Sequence, residues 1–159
     1  MPNLFEEIQP ELRRLKRFWI LCICLPVFYL IICIIINNYV FLKSNMQGFR
    51  PLSQKTYGVV LIIFAVIIFF GQIMILWLKM IFAQRLKRLH DNATAFAQLL
   101  RKQLLVLAVI CDTVAIMGLI LFLINGDLRT MFFSGLIALV YYAQIYPSDT
   151  TIRKVIRHP

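Results

Sequence analysis

Charged residues are scarce in this sequence, and this scarcity excludes an ordinary soluble domain. Only 15% of the 159 residues are charged and 61% are hydrophobic, whereas soluble domains are about 45–50% apolar. Acidic residues are rarer than basic ones: 7 Asp and Glu stand against 17 Lys and Arg, which gives a formal net charge of +10. Because the basic residues are divided among several short segments, we expect no nucleic-acid partner.

Residue patterns that carry chemistry are also missing. The sequence has no phosphate-binding glycine loop, no metal-ligand cluster and no Ser-His-Asp or Cys-His arrangement. Both histidines, His90 and His158, lie outside the apolar stretches, so a haem with two intramembrane histidine ligands is not expected. The adjacent pair His90 and Asp91 is more typical of a solvated or capping helix end than of a catalytic dyad. We predict no enzymatic activity, no metal and no cofactor.

The four cysteines do not indicate disulfide or redox chemistry. Cys22, Cys24, Cys33 and Cys111 all fall within apolar stretches, where cysteine usually packs as a small apolar residue. Side chains two positions apart on a helix diverge by about 200°, so Cys22 and Cys24 cannot form a disulfide with each other.

Long apolar stretches are what the sequence does contain. They cover residues 18–40, 57–78, 104–124 and 130–146. Each is close to the roughly 20 residues that a helix needs to cross about 30 Å of hydrocarbon, and continuous apolar runs favour helices over barrel strands. The sequence therefore predicts an all-α polytopic membrane protein. Residues 1–159 form one membrane domain whose four transmembrane helices make two hairpins, and the first stretch is expected to remain as an anchor.

The basic residues predict the orientation, because cytoplasmic segments of membrane proteins retain Lys and Arg. Thirteen of the 17 basic residues lie in residues 1–17, 79–103 and 147–159, and the other four lie in the two remaining connections. Both termini are therefore predicted to be cytoplasmic, in a plasma membrane or bacterial inner membrane. The residues expected to contact anionic lipid headgroups are Arg13, Arg14, Lys16, Arg17, Arg85, Lys87 and Arg88.

The segments that flank the apolar stretches carry helical signals. The apolar residues of segment 1–17 recur at helical spacing (Leu4, Phe5, Ile8, Leu12 and Leu15). This pattern predicts an amphipathic helix along the membrane surface, bent or broken at Pro10, or alternatively a docking helix for a partner subunit. Residues 79–103 predict a helical connection that projects into the cytoplasm, with Asp91 or Asn92 as a helix cap.

Turn residues mark the remaining connections. Residues 41–56 are predicted to form a loop, and Asn125-Gly126-Asp127 a tight turn. Pro147 is expected to end the last span and Ser148 or Asp149 to cap a short helix over 150–157. Tyr141, Tyr142 and Tyr146 are predicted to mark the cytoplasmic membrane interface.

Asp112 is the one ionisable side chain deep within a predicted span, and such residues are functional candidates by default. Gln72 lies at a similar depth in the preceding span, so we predict a hydrogen bond between the two. Asp112 could be structural, could contact a partner subunit or could act in ion or proton transfer. One acid without a relay of further acids or histidines makes a poor transfer path.

Small residues at three- and four-residue steps predict two helix-packing faces. They are Ala108, Cys111, Ala115 and Gly118 in the third span, and Ser134 and Ala138 in the fourth. Pro26 is expected to kink the first span.

The functional hypothesis is an accessory, assembly or regulatory subunit of a larger membrane complex, whose partners are membrane lipids and other subunits or further copies of the chain. The alternative is a small proton- or cation-linked transporter or channel that uses Asp112 and Gln72.

Overall fold

A computed structural model describes residues 4–89, 92–150 and 152–153, and every regular element in these ranges is helical. The elements are α1 (Leu4–Ile36), a π-helical segment (Asn37–Phe41), α2 (Leu42–Ser44), α3 (Gln54–Lys87), α4 (Ala93–Asn125) and α5 (Leu128–Gln144). The all-α prediction is confirmed. His90, Asp91 and His158 lie outside the described residues, as does most of the predicted tail helix.

Within the described part of the chain, three helices are long and apolar enough to cross a membrane: Phe5–Ser44, Gln54–Lys87 and Ala93–Asn125. These candidate spans correspond to the first three predicted stretches, and each is longer than predicted. α5 has 17 residues, which corresponds to about 25 Å at 1.5 Å per residue.

The first helix is continuous through both of its prolines, Pro10 and Pro26. The sequence predicts a bend or a break at Pro10, because proline lacks an amide proton and clashes with the preceding turn, and the structure shows no break. The helix begins 14 residues before Phe18 and leads directly into the first apolar stretch. The N-terminal segment is thus an extension of α1.

The apolar side of that extension packs inside the protein. Phe5, Ile8 and Leu12 are buried in a cluster with three side chains from distant parts of the chain. These are Leu86 at the end of α3, Phe96 at the start of α4, and Ile152. The structure shows that the apolar side of this segment packs against other parts of the chain, and its position along the membrane surface stays a prediction. We call this end of the molecule the basic end, formed by residues 4–17, 80–89, 92–104, 145–150 and 152–153.

The two helices of the α3–α4 connection approach this end without a long loop. α3 continues to Lys87, and the Asn92 side chain caps α4 by accepting a hydrogen bond from the Ala95 amide at 3.0 Å. Of the two predicted caps, Asn92 is the one that the structure describes.

α4 is the central helix, with α5, α1 and α3 packed around it. Its closest neighbour is α5, and the two helices lie close together where Gly118 faces Ser134. A Cβ atom added at Gly118 would overlap the Ser134 side chain. The absence of a side chain at Gly118 is thus what allows the two helices to meet.

The opposite end, which we call the loop end, consists of residues 45–53 and 125–127. Gly126 ends α4 with a φ of 72°, and the Asp127 side chain accepts a hydrogen bond from the Arg129 amide. Gly48 has a φ of 86° and lies against this turn so closely that an added Cβ atom would overlap the Ile124 carbonyl oxygen. The adjacent amides, Phe49 and Arg50, donate to the carbonyls of Leu123 and Ile124 at 3.0 and 3.1 Å. The predicted loop over 41–56 is thus helical at both ends, and its middle part, residues 45–53, is joined to the α4–α5 turn.

Candidate functional site

Asp112 contacts a tyrosine of α5. The Tyr142 hydroxyl donates a hydrogen bond to Asp112 Oδ1 at 2.7 Å and lies 3.4 Å from the Ala108 carbonyl oxygen. Tyr142 is completely buried, whereas Asp112 is partly buried. The Trp19 indole N–H donates to the Tyr142 carbonyl oxygen at 2.9 Å. Side chains from α1, α4 and α5 thus converge on this tyrosine.

Gln72 does not pair with Asp112. Its amide instead faces that of Gln144 at the end of α5, with Gln72 Nε2 donating to Gln144 Oε1 at 3.0 Å. The reverse contact, from Gln144 Nε2 to Gln72 Oε1, measures 3.4 Å. The predicted hydrogen bond between Gln72 and Asp112 is wrong, because similar depth in the membrane does not decide which way each side chain faces.

Two further hydrogen bonds join α3 to the last helix. Lys79 Nζ donates to the Gln144 carbonyl oxygen at 2.9 Å, and the Tyr141 hydroxyl donates to the Ile68 carbonyl oxygen at 2.6 Å. Tyr141 and Tyr142 are therefore buried packing residues, and their place at the level of the membrane interface stays a prediction. Tyr146 is 45% exposed and stacks edge-to-face on Trp19, with ring centroids 4.8 Å apart.

The predicted small-residue faces lie in the interior. All six residues are buried: Ala108, Cys111, Ala115, Gly118, Ser134 and Ala138. The Ser134 hydroxyl donates to the Met131 carbonyl oxygen at 2.9 Å, so its polar group is satisfied within its own helix.

The basic residues expected at lipid headgroups fall into two groups. Lys16 forms an ion pair with Asp149 at 2.8 Å, which connects α1 to the segment that follows α5. The other six are exposed at the basic end: Arg13, Arg14, Arg17, Arg85, Lys87 and Arg88. Arg14 also forms a pair with Glu11 at 2.9 Å, on the helix surface. Six of the seven side chains can therefore contact solvent or a membrane surface.

A polar cluster at the loop end was not predicted from the sequence. The Tyr57 hydroxyl donates to Asp127 Oδ2 at 2.8 Å and lies 2.6 Å from the Thr130 hydroxyl, which itself donates to Asp127 at 2.9 Å. Partial burial raises the pKa of Asp127. These hydrogen bonds, the Arg129 amide and the Arg129 charge lower the pKa by more than burial raises it, so the pKa lies below its usual value. Tyr57 of α3 thus acts together with Thr130 and Arg129 of α5 to favour the ionised form of the residue that caps α5.

A cavity of about 180 Å³ lies at the basic end, between α1, α3, α4 and the segment after α5. Leu15, Leu104 and Leu107 form part of its apolar wall, and its lining also includes Lys79 and Gln103. The side-chain oxygen of Gln103 is buried and, within the described ranges, has no hydrogen-bond partner. Nothing in the sequence pattern distinguished Gln103 from the other polar residues of the connection.

The described residues include no group of three or more His, Cys, Asp or Glu side chains able to hold a metal ion. Among the polar contacts between helices are hydrogen bonds that join α3 to α5, α4 to α5 and α1 to α5. Comparison with models of known protein families, with curated proteins and with solved structures finds no match to this chain.

Proposed function

We propose that this protein is a four-span integral membrane protein with both termini in the cytoplasm, and that it serves as an accessory, assembly or regulatory subunit of a larger membrane complex. The four spans are α1, α3, α4 and α5, arranged as two helical hairpins. The plasma membrane or bacterial inner membrane is the proposed location.

The contacts of α5 at both of its ends support a fourth span. At the loop end, Thr130 and Asp127 contact Tyr57 near the start of α3. At the other end, Gln144 contacts Gln72 and Lys79 of the same helix. α5 therefore runs parallel to α3 over most of the apolar part of α3, which favours a crossing despite its length of 17 residues.

The orientation can be tested by the accessibility of single cysteines in a cysteine-free background. In the proposed topology, Asn45→Cys at the loop end reacts with a membrane-impermeant maleimide added to intact cells. Lys87→Cys at the basic end reacts only after the membrane is permeabilised. Labelling of position 87 from outside intact cells contradicts the proposed orientation.

The accessory role is supported chiefly by the way in which the interhelical polar side chains are used. Asp112 is bonded to Tyr142, and Gln72 is bonded to Gln144. These groups hold helices of the same chain together, and they do not form a continuous polar row along the bundle. This arrangement favours a structural role for the membrane domain over transport.

The exposed surface of α3 supports a partner in the membrane. Its exposed large apolar side chains are Val59, Ile62, Ile63, Val66, Ile67, Phe69, Phe70, Ile73, Met74, Leu76, Trp77 and Met80. On α4 the corresponding set is Leu105, Val109, Ile116 and Ile120, a narrow stripe at helical spacing. α3 therefore offers the broader area for a helix of another subunit.

Mild detergent extraction followed by mass spectrometry tests this proposal, with photo-crosslinking to locate the contact. A photoreactive phenylalanine derivative at Phe70, which is 63% exposed, should crosslink to a co-purifying protein. The matched control is the same derivative at Val109, which is 65% exposed on α4 and should crosslink mainly to lipid. A protein that purifies alone, with equal lipid adducts at both positions, contradicts the accessory role.

The alternative is a proton- or cation-linked transporter, and the Asp112–Tyr142 hydrogen bond between helices is the observation in its favour. Transport would give flux into liposomes that depends on pH and that falls in Asp112→Asn. Equal flux through the wild type and this variant removes the carboxylate from the transport hypothesis.

A further inference from the structure

The cavity at the basic end has the chemical properties of a binding site for an anionic headgroup. Among the described residues that line it, Lys79 is the only charged one, and none of them is a carboxylate that could neutralise it. The Lys79 ammonium has three protons, and one of them is donated to the Gln144 carbonyl oxygen. Two donors and an uncompensated positive charge therefore remain for a ligand.

Gln103 indicates a second property of the ligand, a hydrogen-bond donor. Its buried side-chain oxygen accepts no hydrogen bond from any described residue, and leaving a buried acceptor unpaired is costly. A ligand that donates a hydrogen bond at this position would remove that cost. The acceptor is uncharged, so a hydroxyl satisfies it without bringing a second charge into an apolar wall.

The location of the cavity indicates where such a ligand comes from. Lys79 directly follows the second predicted span and Gln103 directly precedes the third, so both lie at the level of the lipid headgroups in the proposed topology. The volume of about 180 Å³ equals about six water molecules at roughly 30 Å³ each. This is room for a small headgroup and not for a whole lipid.

We propose that this cavity binds a phosphoglycerol group, with the phosphate on Lys79 and a glycerol hydroxyl donating to Gln103. The shared chemistry is a phosphate with a net negative charge and a neutral hydroxyl donor. Phosphatidylglycerol carries it as a lipid headgroup, and glycerol phosphate carries it as a free solute. A zwitterionic ethanolamine headgroup fits less well because it would add a second positive charge beside Lys79.

Native mass spectrometry of the full-length protein in detergent tests this site with three lipids of the same acyl chains. Phosphatidylglycerol should bind roughly three- to tenfold more tightly than phosphatidylmethanol, which has the same charge but no hydroxyl. Phosphatidylethanolamine should bind more weakly than both. This comparison uses the wild-type protein alone, so it does not depend on the folding of any variant. Equal binding of phosphatidylglycerol and phosphatidylmethanol overturns the proposal.

Variants then assign the two contacts. Lys79→Met should weaken the binding of both anionic lipids by roughly tenfold or more, since hydrogen bonds to charged groups are stronger than those between neutral groups. Lys55→Met is the matched control, because Lys55 is an exposed lysine of the same helix outside the cavity. Gln103→Leu should retain binding of anionic lipids and lose the preference for phosphatidylglycerol over phosphatidylmethanol. Equal effects of Lys79→Met and Lys55→Met overturn the assignment.

The source of the headgroup is distinguished by competition. An excess of glycerol phosphate that leaves the bound phosphatidylglycerol in place supports a lipid ligand, whereas displacement supports the free phosphate as the ligand of the same site. Binding of neither probe above the level of phosphatidylethanolamine overturns the proposal.

Discussion

α3 and α4 are nearly equal in length, at 34 and 33 residues, and both are strongly apolar, yet they occupy different environments. We compare the most apolar stretch of 18 residues in each helix. In α4, 44% of that stretch is buried inside the protein, whereas in α3 only 11% is. Apolar content alone therefore does not determine which membrane helix is central.

The difference follows from the size of the side chains. The inner side of α4 carries small residues, including Ala108, Cys111, Ala115 and Gly118, so neighbouring backbones can come close. α3 carries mainly large apolar side chains and is joined to α5 by hydrogen bonds from Tyr57, Gln72 and Lys79. Close packing holds α4 in place, whereas α3 depends more on polar contacts.

The largest effect is expected from adding one methyl group to α4. Gly118→Ala places a Cβ atom on the Ser134 side chain, and such overpacking typically costs about 1–3 kcal/mol. The same change in α3, Gly58→Ala, meets nothing within 4 Å and should be neutral or stabilise the helix by up to about 1 kcal/mol. Thermal unfolding in detergent measures both.

A compensating change sharpens this test. Ser134→Gly in the Gly118→Ala background removes the side chain that the new methyl group meets, so it should recover part of the lost stability. If Gly118→Ala and Gly58→Ala have equal effects, close packing does not distinguish the two helices.

An intermediate effect is expected from removing single hydroxyl groups of α5. Tyr142→Phe leaves Asp112 without its α5 partner and should cost about 1–2 kcal/mol. Tyr141→Phe leaves only an α3 carbonyl oxygen without its extra hydrogen bond, and should cost about 0.5 kcal/mol. Unfolding in denaturant, with Asp112→Leu completing a double-mutant cycle, measures the coupling. Additive effects of Tyr142→Phe and Asp112→Leu would show that the hydrogen bond is not stabilising.

The smallest effect is expected at the loop end, where Tyr57 joins α3 to Asp127. Because the folded pKa of Asp127 lies below its usual value, the ionised form stabilises the fold above the ordinary carboxyl pKa of about 4. This stabilisation is lost as the pH falls through the lower, folded pKa. Melting temperatures measured from neutral to acidic pH should fall less steeply in Asp127→Asn than in the wild type. Glu7→Gln, which removes an exposed carboxylate at the basic end, is the control and should leave the slope unchanged.

Much of the helical framework could be predicted from the sequence, because apolar runs and turn residues act locally. The first three stretches became long apolar helices, and Asn92, Gly126 and Asp127 lie at helix ends. Each of these features depends on neighbours within a few positions along the chain.

Contacts between distant segments could not be predicted in the same way. The depth of a residue in its span can be counted, but the rotation of its helix cannot, so Gln72 was assigned to Asp112 when its partner is Gln144. Likewise, the apolar side of residues 4–17 predicted burial against something apolar. Its partners, Leu86, Phe96 and Ile152, are dispersed over the rest of the chain and are identified only by the fold.

The unequal lengths of the helices have a consequence for the surrounding membrane. In the proposed four-span arrangement, the 17 residues of α5 span about 25 Å, less than the roughly 30 Å hydrocarbon thickness of an average bilayer. α3, with 34 residues, has no such shortfall. Hydrophobic mismatch would therefore thin the bilayer on the α5 side, beside Phe132 and Phe133, and would favour residence of the protein in thinner membranes.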